Sequence, residues 1–296
     1  MIEKYTEDYM ESDIFVVIER CAKDFSKSQR QIAGYITDNY DKAAFMTAGR
    51  LAKLCGVSES TVVRFAMELG YPGYPEMRRA LQDLTRNRLT SVQRIQVAQA
   101  LMESQDILTH VLSSDIEQIR MTLEETNRTD FDSAVKAICD AKHIYIFGLR
   151  SSSALANFMG FYFNLLFDNV HIVNASSASE VFEQIIRISK DDVLIAISFP
   201  RYSKRTIRAM HYAREMGATL VGLTDNPMSP IAKLSDVALC AKSDMVSFVD
   251  TLVAPLSLVN ALIVASSAKV KGDLFSKFER LEQIWDECEV YEKTDI

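Results

Sequence analysis

Thr47-Ala-Gly-Arg-Leu-Ala-Lys-Leu-Cys-Gly-Val-Ser-Glu-Ser-Thr-Val-Val-Arg-Phe-Ala-Met-Glu-Leu-Gly-Tyr71 decides the fold of the N-terminal part of the chain. Ala48, Leu51, Ala52 and Cys55 recur at i, i+3, i+4 and i+7, the spacing that puts side chains on one face of a helix. Gly56 ends that helix, because glycine adopts a left-handed C′ conformation without steric cost. Ser58 is placed to N-cap a second helix, whose buried face is Val62, Phe65, Ala66 and Leu69. Ser60, Thr61 and Arg64 are left on its outer face. Two short helices joined this tightly form a helix-turn-helix, in which the second helix lays its N-terminal residues against base edges in the DNA major groove. Ser58, Ser60, Thr61 and Arg64 are therefore the candidate DNA contacts: hydroxyls reach phosphates or bases, and arginine pairs with guanine in a bidentate way. An ordinary helical hairpin with a solvated polar face shares the same periodicity, and the surrounding charge separates the two readings.

The chain of 296 residues carries a net charge of −7, which argues against a protein that coats nucleic acid. The charge is unevenly spread. From Ser26 to Arg94 there are 11 Lys/Arg against 6 Asp/Glu, so this segment is +5 and the remainder −12. A basic module on an acidic body is the footprint of a sequence reader whose body is kept off the phosphates. The 25% charged and 48% apolar residues are a globular composition, with length enough for two cores. Five scattered cysteines, never in a Cys-x-x-Cys pair, read as buried thiols of a reducing cytoplasm, with no disulfide and no metal site. The N-terminus lacks a signal peptide's charged-then-apolar order. The apolar run Thr251 to Ala268 holds Pro255, Asn260 and several serines, so it reads as a core helix and no membrane partner is expected.

Outward from the helix-turn-helix, residues 13–25 and Ser28–Tyr40 read as leading helices. Tyr71-Pro-Gly-Tyr-Pro75 reads as a loop, with Pro75 opening a helix Glu76–Arg88. The Arg78, Arg79, Arg86 and Arg88 of that helix suit either a DNA backbone or a solvated face. Residues 92–126, free of Gly and Pro, read as one or two connecting helices and a candidate dimer element. From His143 the texture changes to short apolar runs: Ile144–Phe147, Val170–Val173, Val193–Ile197, Thr219–Leu223 and Val237–Cys240. Such runs, alternating with helical stretches, predict a five-stranded parallel sheet covered on both faces. Ligands of such sheets bind beyond the carboxyl ends of the strands.

Two of those ends share one chemistry. The first strand runs into Gly148-Leu-Arg-Ser-Ser-Ser153 and the third into Ser198-Phe-Pro-Arg-Tyr-Ser203. Each loop offers hydroxyls and helix N-terminal N–H groups to an anion such as phosphate, and Arg150 and Arg201 add charge. A single loop of this kind would be ordinary serine capping; two at equivalent strand ends suggest a shared phosphoester site. A dinucleotide cofactor is not expected, because the first loop has one glycine where the fingerprint needs three, and Val173-Asn174 stands where a ribose-binding acid belongs. No cofactor is expected at all.

These residues carry a family resemblance. Residues 26–94, centred on Leu54-Cys-Gly-Val-Ser-Glu-Ser-Thr-Val-Val-Arg-Phe65, resemble the N-terminal domain of RpiR-type transcriptional regulators. Residues from about 130 to 272 resemble the sugar isomerase (SIS) domain that those regulators carry, through Ile146–Ser153, Ile197–Ser203 and Leu223-Thr-Asp-Asn-Pro-Met-Ser-Pro230. The resemblance implies a bacterial regulator whose SIS domain binds a phosphosugar, with Ser151, Ser152, Ser198 and Ser203 as phosphate binders. Arg150 and Arg201 depart from the glycines of many SIS loops, and Phe199-Pro200 from small polar residues. The expected division is an all-α DNA-binding domain at 1–90, a helical connector at 91–127, an α/β SIS domain at 128–272 and a C-terminal helix and tail at 273–296.

SIS domains also serve isomerases, so a sugar-phosphate isomerase fused to a DNA-binding domain is the alternative. Aldose–ketose isomerisation needs a general base and a ring-opening group. His143 and His171 begin strands, His211 lies inside a helix and His110 in the connector, which leaves Glu180 as the only plausible base. Glu180 equally suits a sugar hydroxyl or a helix cap. A sensor without catalysis, bound to double-stranded operator DNA as a homodimer or homotetramer, is the expected protein. The connector, the Thr251–Ala268 helix and the C-terminal helix with Phe275, Phe278, Leu281, Ile284 and Trp285 are its candidate interfaces.

Overall fold

The computed structural model describes residues 14–88, 92, 95, 106–174, 177–244, 249–270 and 274–292, without the side chains of 83–88 and 178. Arg86 and Arg88, as side chains, and most of the connector before Asp106 lie outside the described residues. The chain forms two compact units, one helical and one built on a sheet.

The helical unit runs through α1 (Ile14–Cys21), α2 (Lys27–Asp38), α3 (Tyr40–Ala43), α4 (Ala48–Cys55), α5 (Glu59–Glu68) and α6 (Tyr74–Arg88). Ser26 and Gln29 close a capping box on α2. Thr47 caps α4, Gly56 ends it at φ 65°, and Ser58 caps α5. Leu51, Ala52 and Cys55 of α4 meet Val62, Phe65 and Ala66 of α5 in one core with Ile14, Ile32 and Ile36. Burial of a side chain such as Phe65, fully inaccessible here, is worth about 1.5–3 kcal/mol. The expected loop over 71–75 is shorter than read, for α6 begins at Tyr74 and takes Pro75 into its first turn. The missing proline N–H costs nothing there, and the Tyr74 hydroxyl fixes the start by donating to Met46 O at 2.9 Å.

The sheet unit holds β1 (Ile144–Gly148), β2 (Val170–Val173), β3 (Val193–Ile197), β4 (Thr219–Thr224) and β5 (Val237–Cys240). All pairings are parallel, in the order β2-β1-β3-β4-β5. One face is covered by α8 (Arg128–Asp140), α9 (Ser152–Leu166) and α13 (Val253–Ser267), whose apolar residues pack on Ile144, Ile146, Val193, Ile195 and Val221. The other is covered by α10 (Ala178–Ile185), α11 (Lys204–Glu215) and α12 (Pro230–Leu234), against Tyr145, Phe147, Leu194, Ala196 and Leu220. Every residue of β1 and β3 is buried, which is why those strands read as unbroken apolar runs.

Two helices stand apart from this layering. α7 (Ile107–Glu125) turns a polar stripe to the sheet unit, with Gln118 and Thr122 buried, while Leu108, Leu112, Ile116, Ile119 and Leu123 face solvent. α14 (Leu274–Glu287) has no buried residue, and its Phe275 is 74% exposed. The cysteines differ in part from the expectation of buried thiols: Cys55 is buried, but Cys288 on the turn after α14 is exposed. Burial, with Asp225 behind it, pushes the Cys240 thiol up to about 12. Among the described residues no helix is long and apolar enough to cross a membrane.

Candidate functional site

The strand order reverses between β1 and β3, where the chain leaves β1 toward β2 on one side and returns to β3 and β4 on the other. A crevice opens at the carboxyl ends of such neighbouring strands. Gly148 and Ile197 are register partners, so the loops after β1 and β3 start side by side. The residues expected to form a phosphate site are therefore brought to one sheet edge. Gly148 has a steric reason: a Cβ there would come within 2.5 Å of Ser152 O at the start of α9.

The two loops share an unusual backbone. Arg150 and Arg201 both sit at φ 57°, in the left-handed region. An L-residue other than glycine pays about 1–2 kcal/mol for that conformation. The same strain at equivalent points of two loops means that each loop keeps an exposed guanidinium where glycine would relax the chain. In the first loop the Ser153 hydroxyl donates to Arg150 O at 2.6 Å. Ser152 is 4% exposed, whereas Ser151 is exposed and makes no capping bond. In the second loop Ser198 is 4% exposed and its Oγ accepts from Ser203 N at 3.1 Å. Ser203 caps α11, accepting from Thr206 N at 3.3 Å. Each of these acceptor hydroxyls keeps its hydrogen for another oxygen.

Glu180 takes the cap role that the sequence left open: Ser177 N donates to its Oε2 at 3.2 Å, while Glu180 N donates to Ser177 Oγ at 3.3 Å. A residue missed in the sequence binds the second loop instead. Asp225, 6% exposed at the end of β4, accepts from the Tyr202 hydroxyl at 2.7 Å, from Asn226 Nδ2 at 2.7 Å and from Thr224 Oγ1 at 3.2 Å. Asn226 Nδ2 also lies 3.3 Å from the Tyr202 hydroxyl. The signal was present in the Thr224-Asp-Asn triplet, but only the β3–β4 adjacency gives the carboxylate its phenol.

The histidines lie elsewhere. At the opposite ends of the strands, His143 Nδ1 is 2.7 Å from Asp192 Oδ1, and Ser189 Oγ donates to Asp192 Oδ2 at 2.8 Å. His171 stacks on Tyr145. A cleft of about 710 Å³ lies along α8 and at the C-terminal ends of α9 and α13, away from the serine loops, lined by Ser133, Lys136, Cys139, Leu166, Asp168 and Lys269. Among the described residues no cluster of His, Cys, Asp and Glu is placed to hold a metal.

In the helical unit, the hydroxyls of Ser60 and Thr61 lie 2.9 and 2.8 Å from Ser58 Oγ. Arg64 is exposed one turn on, its Nε 3.4 Å from Ser60 O. The four expected contacts thus share one end of α5.

A helix-turn-helix with an exposed polar face, preceding a doubly covered parallel sheet with paired serine loops, defines a helix-turn-helix module followed by a sugar isomerase-type domain. Residues 13–88 match the helix-turn-helix domain of the rpiR family, and residues 137–265 match the SIS domain. The chain belongs to the RpiR-type transcriptional regulators, in which those two domains follow in that order. It is 25% identical to the HTH-type transcriptional regulator HexR of Pseudomonas aeruginosa, over 88% of this chain and 91% of the relative. An uncharacterized HTH-type transcriptional regulator of Caldanaerobacter subterraneus is 22% identical over 92% of this chain and 97% of its own. Among solved structures, the sugar isomerase domain of an RpiR transcription factor from Sphaerobacter thermophilus covers 60% of this chain and 99% of its own at 26% identity, with a TM-score of 0.57. The Vibrio vulnificus NanR protein, complexed with ManNAc-6P, covers 93% of this chain and 98% of its own at 22% identity and a TM-score of 0.56.

Proposed function

We propose that this regulator binds double-stranded operator DNA through α5 and is controlled by a phosphosugar held at the loops after β1 and β3, in the cytoplasm and without turnover. The observation that carries the reading is the pair of left-handed arginines, Arg150 and Arg201, beside Ser152, Ser198 and Ser203 at one switch point. Hydroxyls, helix N-terminal N–H groups and two guanidinium groups together match a phosphate dianion. ManNAc-6P bound by the fold neighbour NanR supports the same ligand class. Ser151 contributes from the exposed side of the first loop, and Glu180, at the start of α10, meets sugar hydroxyls. The absence of any His from these loops, with Glu180 engaged at a helix start, favours a sensor over an isomerase.

The assembly is a homodimer or homotetramer. Its support is the outward apolar stripe of α7, the unburied α14, and Phe161 and Val264 at 62% and 67% exposure on α9 and α13. Apolar faces of this extent mark association surfaces. Light scattering at micromolar concentration should give at least a dimer, and a monomer that still footprints a symmetric site would contradict it. Gel-shift titration of an operator selected in vitro, against ManNAc-6P and other sugar phosphates, tests the control. A shift in operator affinity supports the sensor, conversion of the sugar supports the isomerase, and indifference to every compound overturns the phosphosugar reading.

A further inference from the structure

The loop after β3 is joined to α7 by a run of hydrogen bonds linked through short stretches of backbone, all within the sheet unit. Tyr202, between Arg201 and the cap Ser203, donates to Asp225 at 2.7 Å, and Thr224 Oγ1 donates to the same carboxylate oxygen at 3.2 Å. Thr224 O accepts from Ala241 N at 2.9 Å, at the head of the strap that follows β5. The next residue, Lys242, donates its N–H to Thr122 Oγ1 of α7 at 2.9 Å, and Asp244 N donates to Gln118 Oε1 at 2.6 Å. Lys242 Nζ pairs with Glu125 at 2.5 Å, and the Thr251 hydroxyl donates to Asp115 at 2.7 Å.

Asp115, Gln118, Thr122 and Glu125 lie at spacings of three and four, so one polar face of α7 grips the strap while the apolar face looks outward. That is the reverse of an ordinary surface helix. A helix seated through directional bonds has discrete seats, whereas an apolar seam would fix it by area. At the other end of the path the buried Asp225 carboxylate needs its donors, so Tyr202 cannot shift without shifting what lies behind it. A ligand that draws Arg201 or Ser203 toward itself must move Tyr202.

We propose that the path Tyr202–Asp225–Thr224–Ala241–Lys242–Thr122 couples the loop after β3 to the seat of α7, and through the chain that α7 continues, to the helix-turn-helix. Asp225 and Tyr202 are positioning residues, and Thr122 and Gln118 are the readers on α7. The inference rests on the phosphosugar reading above for its input, but its mechanical part stands on the bonds alone. Coupling between sites typically changes affinity by roughly 5–150-fold, and it is the quantity to measure.

The test compares the full-length parent with Thr122→Val, which keeps shape but removes the acceptor, and Thr122→Ser, which keeps the hydroxyl. Operator affinity is measured with and without ManNAc-6P, or whichever sugar phosphate shifts the parent most, and sugar affinity is measured by calorimetry. Thr122→Val should bind the sugar like the parent yet lose most of a shift in that roughly 5–150-fold range, while Thr122→Ser keeps it. A full shift in Thr122→Val overturns the path, and so does a loss of sugar binding itself, which would put Thr122 in the pocket. A second measurement needs no ligand. In the sugar-free protein, Tyr202→Phe should speed amide exchange at Lys242 and Asp244, because their N–H partners on α7 lose their fixed seat, and leave Val193 N–H, at the far ends of the strands, unchanged. Unaltered exchange at Lys242 and Asp244 overturns the path. If no sugar phosphate shifts the parent while that exchange does respond, the phosphosugar reading fails and the path survives it.

Discussion

Arg201 concentrates what a single residue contributes here, since its side chain offers charge and its backbone is strained at φ 57°. Arg201→Gly relieves about 1–2 kcal/mol of left-handed strain and returns about 0.4–1 kcal/mol through the freer unfolded chain. The melting temperature should stay level or rise slightly, while sugar-phosphate affinity falls; calorimetry beside a thermal melt checks both. A clear drop in melting temperature would mean that the guanidinium serves packing. Arg64 is the counterpart in the helical unit, exposed on the recognition face. Arg64→Ala should cost about 1–3 kcal/mol of operator affinity and relax selection at one base position. Coincident selection profiles for mutant and parent would remove Arg64 from base readout.

Among the elements, the turn from β1 into α9 leaves no room for a side chain at Gly148. The Ser152 carbonyl occupies the space that any Cβ at position 148 would need. Gly148→Ala should destabilise the sheet unit by about 1–3 kcal/mol, as overpacking does, and weaken sugar-phosphate binding because the first turn carrying Ser152 is pushed away. Urea denaturation with calorimetry is the check, and an unchanged midpoint would show that α9 slides without cost. The elements themselves were largely legible. The five strands lie where apolar runs predicted them, because parallel strands covered on both faces have no polar side to break the pattern. The turn Gly56–Ser58 was legible because left-handed glycine and a serine cap are local devices. The start of α6 was misread by two residues, since the Tyr74 bond to Met46, 28 residues earlier, belongs to no local pattern.

At the scale of the whole molecule, acid should loosen the sheet unit from the strand ends opposite the serine loops. Burial, and after it His143, hold the His171 imidazole below its ordinary value. The unfolded chain then takes up a proton at about pH 6.5 that the native chain refuses, so stability falls as pH drops through that point. Burial would raise Asp192, but its bonds from His143 and Ser189 outweigh that and hold the carboxyl below the ordinary range. Its contribution is present above about pH 4 and is lost only further down. Both groups make stability rise with pH. Melting temperatures should fall between about pH 7 and 5, and His171→Gln should flatten that slope; an unchanged slope would rule His171 out.

The sequence by itself determined the two-domain order, the helix-turn-helix, the parallel sheet and the serines at its strand ends, because periodicity, caps and apolar runs are written within a few neighbouring residues. Only the tertiary structure decided that Arg150 and Arg201 take a conformation suited to glycine, since loop closure between packed elements sets φ there. It also decided that Asp225 holds Tyr202, 23 residues away in the chain, and that α7 turns its polar side inward. Those choices depend on which strand ends become neighbours and on which face of a helix finds hydrogen-bond partners, and neither is fixed by any local run of residues.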